Sequence, residues 1–197
     1  MSETLTRPLT PRVEDRDGRR ALVVGGYVQS IVVGDDHAWD VWDAFIPRHR
    51  LPWRALILGG GGGTIATLLT QRCGPIEIVA VERDPTVARL AREEFGLDQL
   101  ANVELIEADA FAWVETCERA FDLICVDMYV AGELAHGTFA TPFLRQIAQL
   151  LTPGGIAAFN LFKTKRLPEQ LHRLSRVFNI VDKIEIGGNV VVHVMRD

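Results

Sequence analysis

Three acidic residues, Glu82, Asp109 and Asp127, each close an apolar run of strand-forming residues, and five consecutive glycines, Gly59 to Gly63, follow a fourth such run. An ionised carboxylate accepts hydrogen bonds and donates none, so acids at neighbouring strand ends suit a ligand rich in hydroxyl and amino donors. Glycines let that ligand approach the main chain. Glu82 stands 82 − 62 = 20 residues beyond Gly62, the separation found in nucleotide-binding βαβ units, where the acid receives ribose hydroxyls. The plainer alternatives are a flexible loop for the glycines and helix caps for the aspartates. His136, on a loop, could serve as a base, or could simply be exposed.

These groups need strands and helices to hold them. Ala55–Leu58 is too short an apolar run for a helix and reads as a buried strand, and the helical pattern from Thr64 stops at Gly74-Pro75. A second strand, Ile76–Val81, delivers Glu82; Asp84-Pro85 then caps and opens a helix that runs to Phe95-Gly96. Val103–Ala108 delivers Asp109, a short helix spans Ala110–Cys117, and Phe121–Val126 delivers Asp127. In an open parallel sheet, ligands lie beyond the carboxyl ends of the strands, so the three acids should face one crevice. A loop from Met128 leads to a helix at Thr141-Pro142, a strand over Ile156–Asn160, a charged stretch Lys163–Arg166 that reads as solvated loop, and a helix over Pro168–Phe178. Gly187-Gly188-Asn189 separates two final strands as a hairpin.

The first fifty residues read differently. Residues 1–19, with two prolines and many charges, are expected to be a mobile arm. Residues 20–50 carry a β-hairpin around Gly25-Gly26 and an amphipathic helix with Trp39, Trp42 and Phe45 at helical spacing, and 51–197 form the ligand-binding domain. A small hairpin is rarely stable without more surface to pack on, which leads us to expect a homodimer. The 197 residues are 48% hydrophobic with net charge −5, a balance that fits one globular domain and argues against binding to a nucleic-acid backbone. No apolar run reaches a membrane span and residues 1–20 lack a signal-peptide core, so a cytoplasmic location is expected. The three cysteines show no metal-ligand spacing.

The strict dinucleotide spacing fails in both registers, because Thr64 or Ile65 stands where a third glycine is needed. Gly59-x-Gly61-x-Gly63, followed by an acid at the end of the next strand, resembles the class I S-adenosylmethionine-dependent methyltransferases. That resemblance implies an α/β Rossmann-like fold with a mostly parallel seven-stranded sheet and a C-terminal antiparallel hairpin strand. Residues 20–160 are similar to the spermidine synthase branch, the aminopropyltransferases that use decarboxylated S-adenosylmethionine. Gly26-Tyr27-Val28-Gln29 resembles the segment whose glutamine lies against the nucleoside. Leu58 to Gly63 stands at the family's glycine motif, Val81-Glu82-Arg83-Asp84-Pro85 at its ribose-binding motif, and Ala108-Asp109-Ala110 at the motif whose aspartate meets the adenine amine. The resemblance thus implies cofactor contacts from Gln29, Gly59, Gly60, Gly61, Gly63, Glu82, Arg83, Asp109, Ala110 and Asp127.

The sequence departs from the family in the chemical half. Asp-[Ser/Thr]-x-Asp-Pro, whose second aspartate is held to deprotonate the attacking amine, reads Asp127-Met128-Tyr129-Val130-Ala131 here. Valine accepts no proton, and Trp39 and Val41 replace the tyrosine and glutamate expected near a polyamine. The reading that follows is methyl transfer from S-adenosylmethionine to a small-molecule acceptor near Asp127, Tyr129, His136 and Asn160, with Asp127 or Tyr129 orienting it and His136 as base. Aminopropyl transfer with another base, and a non-catalytic nucleoside-binding module, are the alternatives.

Overall fold

Short β-branched runs bounded by glycine and proline build most of the strands of this protein, and a computed structural model describes residues 9–34, 41–48, 50–130 and 132–196. In chain order come strands β1 (Arg12–Arg16), β2 (Arg19–Val24) and β3 (Tyr27–Ile31), then β4 (Arg54–Leu58), helix α1 (Thr64–Cys73), β5 (Glu77–Glu82), α2 (Pro85–Phe95), β6 (Val103–Glu107), α3 (Ala110–Thr116) and β7 (Phe121–Val126). Two-residue strands β8 (Tyr129–Val130) and β9 (Glu133–Leu134) precede α4 (Thr141–Leu150), β10 (Leu151–Phe162), α5 (Leu167–Ser175), β11 (Asn179–Ile186) and β12 (Asn189–Met195).

Seven strands form one sheet in the order β11-β12-β10-β7-β4-β5-β6. Strands β4 to β7 and β10 run parallel, and β12 runs antiparallel to both β10 and β11. The expected Rossmann-like sheet and terminal hairpin are therefore present. Strand order reverses at β4, which lies between β5 and β7, so a crevice opens beyond its carboxyl end. Residues Leu56, Ile57, Ile124 and Cys125 on the central strands are wholly buried or nearly so, because helices cover both faces of a parallel sheet and leave no solvent side.

Two expectations about the N-terminal region need correction. The hairpin β2–β3 is joined by β1, which comes from the stretch expected to be a mobile arm and pairs with β2 from Arg12↔Val23 to Arg16↔Arg19. Its sequence, Arg-Val-Glu-Asp-Arg, hides the strand because an edge strand with charges on both faces lacks apolar alternation. The amphipathic helix is replaced among the described residues by a 3-10 turn, Val41–Phe45, while Trp39 lies outside them. Pro47 shortens the turn, and Trp42 and Phe45 are buried by tertiary packing instead of forming a helical stripe. Asp43 in this turn bonds Arg72 at 2.6 Å, and Ala44 O accepts from buried His193 Nε2 at 2.7 Å, which ties the turn to α1 and β12.

Candidate active site

The glycine run turns the chain sharply between β4 and α1. Gly59, Gly61 and Gly63 have positive φ, at 89°, 52° and 90°, the alternation that the Gly-x-Gly-x-Gly pattern demands. At Gly59 a Cβ would overlap the carbonyl oxygen of Asp127, so only glycine lets β4 and β7 end side by side. Strand β3 is clamped onto this turn: Ser30 Oγ accepts from Gly62 N at 2.6 Å, and Thr64 Oγ1 donates to Ile31 O at 2.8 Å and accepts from Ile31 N at 2.9 Å. That clamp sets Gln29 at the mouth of the crevice.

The crevice has two chambers. Gly59, Gly61, Glu82, Arg83, Asp109 and Ala110 line the first, together with apolar Val81, Ala108, Phe111 and Met128. Tyr27, Val28, Val41, Trp42, Phe162, Asn160 and Asn189 line the second. Gln29, Asp127 and Tyr129 line both and form the junction. Both chambers are open to solvent.

In the first chamber the carboxylates are held by their own loops. Glu82 Oε2 accepts from Gly61 N and Oε1 from Asp84 N, both at 2.9 Å. An acid at the end of β5 thereby fixes the glycine turn while each oxygen keeps a further lone pair for a ligand. Asp109 caps α3, its Oδ1 accepting from Phe111 N at 3.0 Å and Ala112 N at 3.2 Å. The cap and the site are one residue, since the second oxygen takes no part in capping. Gly60 and Gly63 do not line the chamber: Gly60 faces Ala80, Glu82 and Leu105, and Gly63 caps α1 against Leu97.

The second chamber is built from side chains that bond one another. Asn160 Nδ2 donates to Asp127 Oδ1 at 2.9 Å, Asn189 Nδ2 donates to Asn160 Oδ1 at 2.8 Å, and Tyr129 Oη donates to Asn160 O at 2.9 Å. The Trp42 indole also donates to Asp127. Protein atoms crowd Asp127 on every side but the cleft, where part of its surface stays open. Loss of water pushes its carboxyl up to about 6, against the opposing donors Asn160 and Trp42. Burial likewise pushes the Tyr129 phenol far up and keeps it neutral; its ring packs on Phe162 with centroids 4.8 Å apart.

His136 is exposed before α4 and lines neither chamber, so the structure does not bring it to Asp127. Val130, 44% exposed, lines the first chamber beside the junction, and Val41 lines the second. Sequence reasoning missed Trp42, which looked like core, and Asn189, which looked only like a turn residue; a polar residue directly after Gly187-Gly188 gave no sign of its partner 29 residues away.

The methyltransferase-domain family matches residues 54–194 of this chain. Polyamine aminopropyltransferase 2 of Hyperthermus butylicus is 27% identical over 176 residues, covering 82% of this chain and 57% of that protein. The eEF1A lysine and N-terminal methyltransferase homolog of Drosophila melanogaster is 27% identical over 164 residues, covering 77% of this chain and 24% of that protein. The chain spans little more than half the length of the first of these relatives and a quarter of the second. A solved structure described as a probable spermidine synthase from Corynebacterium glutamicum superposes with a TM-score of 0.80 at 23% identity, covering 94% of this chain and 76% of that one, which establishes a shared fold. Among the described residues no helix is long and apolar enough to cross a membrane.

Proposed function

The chain belongs to the methyltransferase-domain family, with the class I S-adenosylmethionine-dependent fold, and from that premise we propose that it transfers a methyl group from S-adenosylmethionine to a small-molecule amine held in the second chamber. The observation that carries this reading is Asp127, a carboxylate with an upward-shifted pKa at the junction of the two chambers.

The first chamber fits an adenosyl sulfonium. Glu82 and Asp109 offer acceptor oxygens for ribose hydroxyls and an adenine amine, Val81, Ala108, Ala110 and Phe111 offer apolar walls for a flat base, and three acids against Arg83 favour a cation. When bound, such a donor supplies a carbon activated by positive sulfur. The residues of this chain do the rest. Asn160 and Trp42 hold the Asp127 carboxylate in place, and Asp127 takes the proton that an amine must lose as it is alkylated. A group that titrates near 6 is mostly ionised at pH 7 yet close enough to neutrality to receive a proton, which is the condition for an effective general base. Tyr27, Trp42, Tyr129 and Phe162 offer ring faces to the cationic form of the amine before it reacts.

Aminopropyl transfer is the second reading, supported by relatives that are named polyamine aminopropyltransferases. Against it, Val130 is apolar where that family places the amine-deprotonating aspartate, and among the described residues lining the second chamber Asp127 is the sole carboxylate. A diamine needs acidic partners at both ends when it leaves water. The test supplies the purified protein with a panel of small amines and either methyl-labelled S-adenosylmethionine or its decarboxylated form. Methylated amine formed only with the first supports the proposal; spermidine formed from putrescine with the second replaces it, and turnover of neither leaves a nucleoside-binding module. A homodimer belongs to the same reading, supported by exposed Tyr27 and Val28 on β3, and a monomer mass by light scattering at micromolar concentration would remove it.

A further inference from the structure

We propose that Asn189, at the start of β12, is a positioning residue that fixes the Asp127 carboxylate through the side chain of Asn160. The proposal rests on the reading of Asp127 as the proton acceptor only for its functional meaning; the relay itself is a matter of hydrogen-bond polarity.

A carboxylate can only accept, so the Asn160 atom 2.9 Å from Asp127 Oδ1 must be its amide nitrogen. The Asn160 carbonyl oxygen then faces away from Asp127 and toward Asn189, 2.8 Å off, and Asn189 must present its NH2 in turn. Each orientation is forced by the one before it, which settles an amide assignment that heavy-atom positions alone leave open. Read in reverse, a donor at Asn189 holds Asn160 in the orientation that bonds an ionised Asp127. Asn160 is 5% exposed, and an unpaired amide orientation there is costly, so the side chain has one comfortable state while Asn189 is present. Its backbone is equally fixed, with Asn160 O taken by Tyr129 and β10 paired to β12 at Asn160↔Val191.

Asn189 sits where it can do this because the Gly187-Gly188 turn brings β12 back along β10, pairing Asn189 with Phe162, two residues past Asn160. Other groups facing Asp127 do not compete for the role. Tyr129 on β8 and Cys125 on β7 are both held neutral by burial, and Trp42 from the 3-10 turn donates to Asp127 directly. Without Asn189, Asn160 can turn its carbonyl toward Asp127, which then loses a donor and favours its protonated form.

The experiment follows the carboxyl carbon of Asp127 by NMR across pH 4 to 9, in protein carrying labelled aspartate, with the signal assigned from Asp127→Asn. In Asn189→Ala the acid dissociation constant of Asp127 should fall about 3- to 10-fold, the size of one net hydrogen bond. In an Asn160→Ala background the same Asn189→Ala change should move nothing, because Asn189 acts only through Asn160. An unmoved midpoint in folded Asn189→Ala, or an equal shift in both backgrounds, overturns the relay. Should Asn160→Ala not fold, hydrogen exchange of the Asn160 side-chain amide takes its place: faster exchange in Asn189→Ala supports the relay and unchanged exchange overturns it. Neither donor nor amine is present in these measurements, so an inactive protein with a shifted midpoint sinks the methyl-transfer reading alone.

Discussion

The two chambers meet at Asp127 but are held by different kinds of bond. In the first, Glu82 and Asp109 are tied to backbone N–H groups within a few residues or across one turn, and both remain open to solvent on their ligand side. In the second, Asp127, Asn160, Asn189 and Trp42 come from four separate elements and satisfy one another. Damage in the first chamber should therefore stay local, costing one ligand contact at a time. Damage in the second should propagate, because each group's orientation depends on the next.

The largest effect expected is at the junction. Asp127→Asn should lower transfer by about 10²- to 10⁴-fold, the usual worth of a general base, measured as kcat/KM with saturating donor. The same variant tests the electrostatics. The folded pKa of about 6 lies above the ordinary 3.8, so protonated Asp127 favours the fold; that contribution is fully present below about pH 4 and is lost as pH rises through about 6. The difference, 6 − 3.8 = 2.2, corresponds to at most about 3 kcal/mol, since water in the cleft screens part of it. Thermal unfolding of the wild type should show this downward trend with pH, and Asp127→Asn should lose it. His193 runs the opposite way: burial lowers its pKa, so its contribution is present above the ordinary imidazole value and is lost as pH falls. Comparing the two proteins cancels that common slope.

Next in size is Gly59→Ala, where a Cβ meets the Asp127 carbonyl at φ of 89°. A cost of about 2–4 kcal/mol is expected from strain and overlap together, read from urea unfolding. Because Gly59 lies against the Asp127 carbonyl, this first-chamber change should also disturb Asp127. Glu82→Ala should weaken S-adenosylmethionine binding at least roughly tenfold by calorimetry, from the loss of about 1.5–3 kcal/mol in charge-assisted bonding, with the Asp127 titration unmoved. A shifted Asp127 there would contradict the separation of the chambers. The smallest effect belongs to Ser30→Ala, which strips Gly62 N of its partner and should cost about 1 kcal/mol of stability, together with a few-fold loss in donor affinity as the β3 clamp loosens.

Much of the first chamber could be read without a structure. Short-range rules set it: Gly59, Gly61 and Gly63 alternate because the backbone must alternate into positive φ there, and Glu82, Asp109 and Asp127 end strands whose apolar runs are visible one by one. Most strands of the sheet followed from the same runs, as did the β11–β12 hairpin from its two glycines, while their order came from the structure. The N-terminal region resisted, since β1 is charged on both faces and the 3-10 turn at Val41 owes its shape to the β12 and α1 residues that grip it.

What the chain determines by itself is thus the nucleoside half, where backbone conformation and strand ends are local properties of neighbouring residues. What only the tertiary structure decides is the acceptor half. His136 looked like a base and lies away from both chambers; Trp42 looked like core and bonds the carboxylate; Asn189 looked like a turn and orients Asn160. A hydrogen-bond relay needs its members within about 3 Å, and for residues 42, 127, 160 and 189 that proximity comes from the pairing of β7, β10 and β12 and the packing of one 3-10 turn against them, which no spacing along the chain encodes.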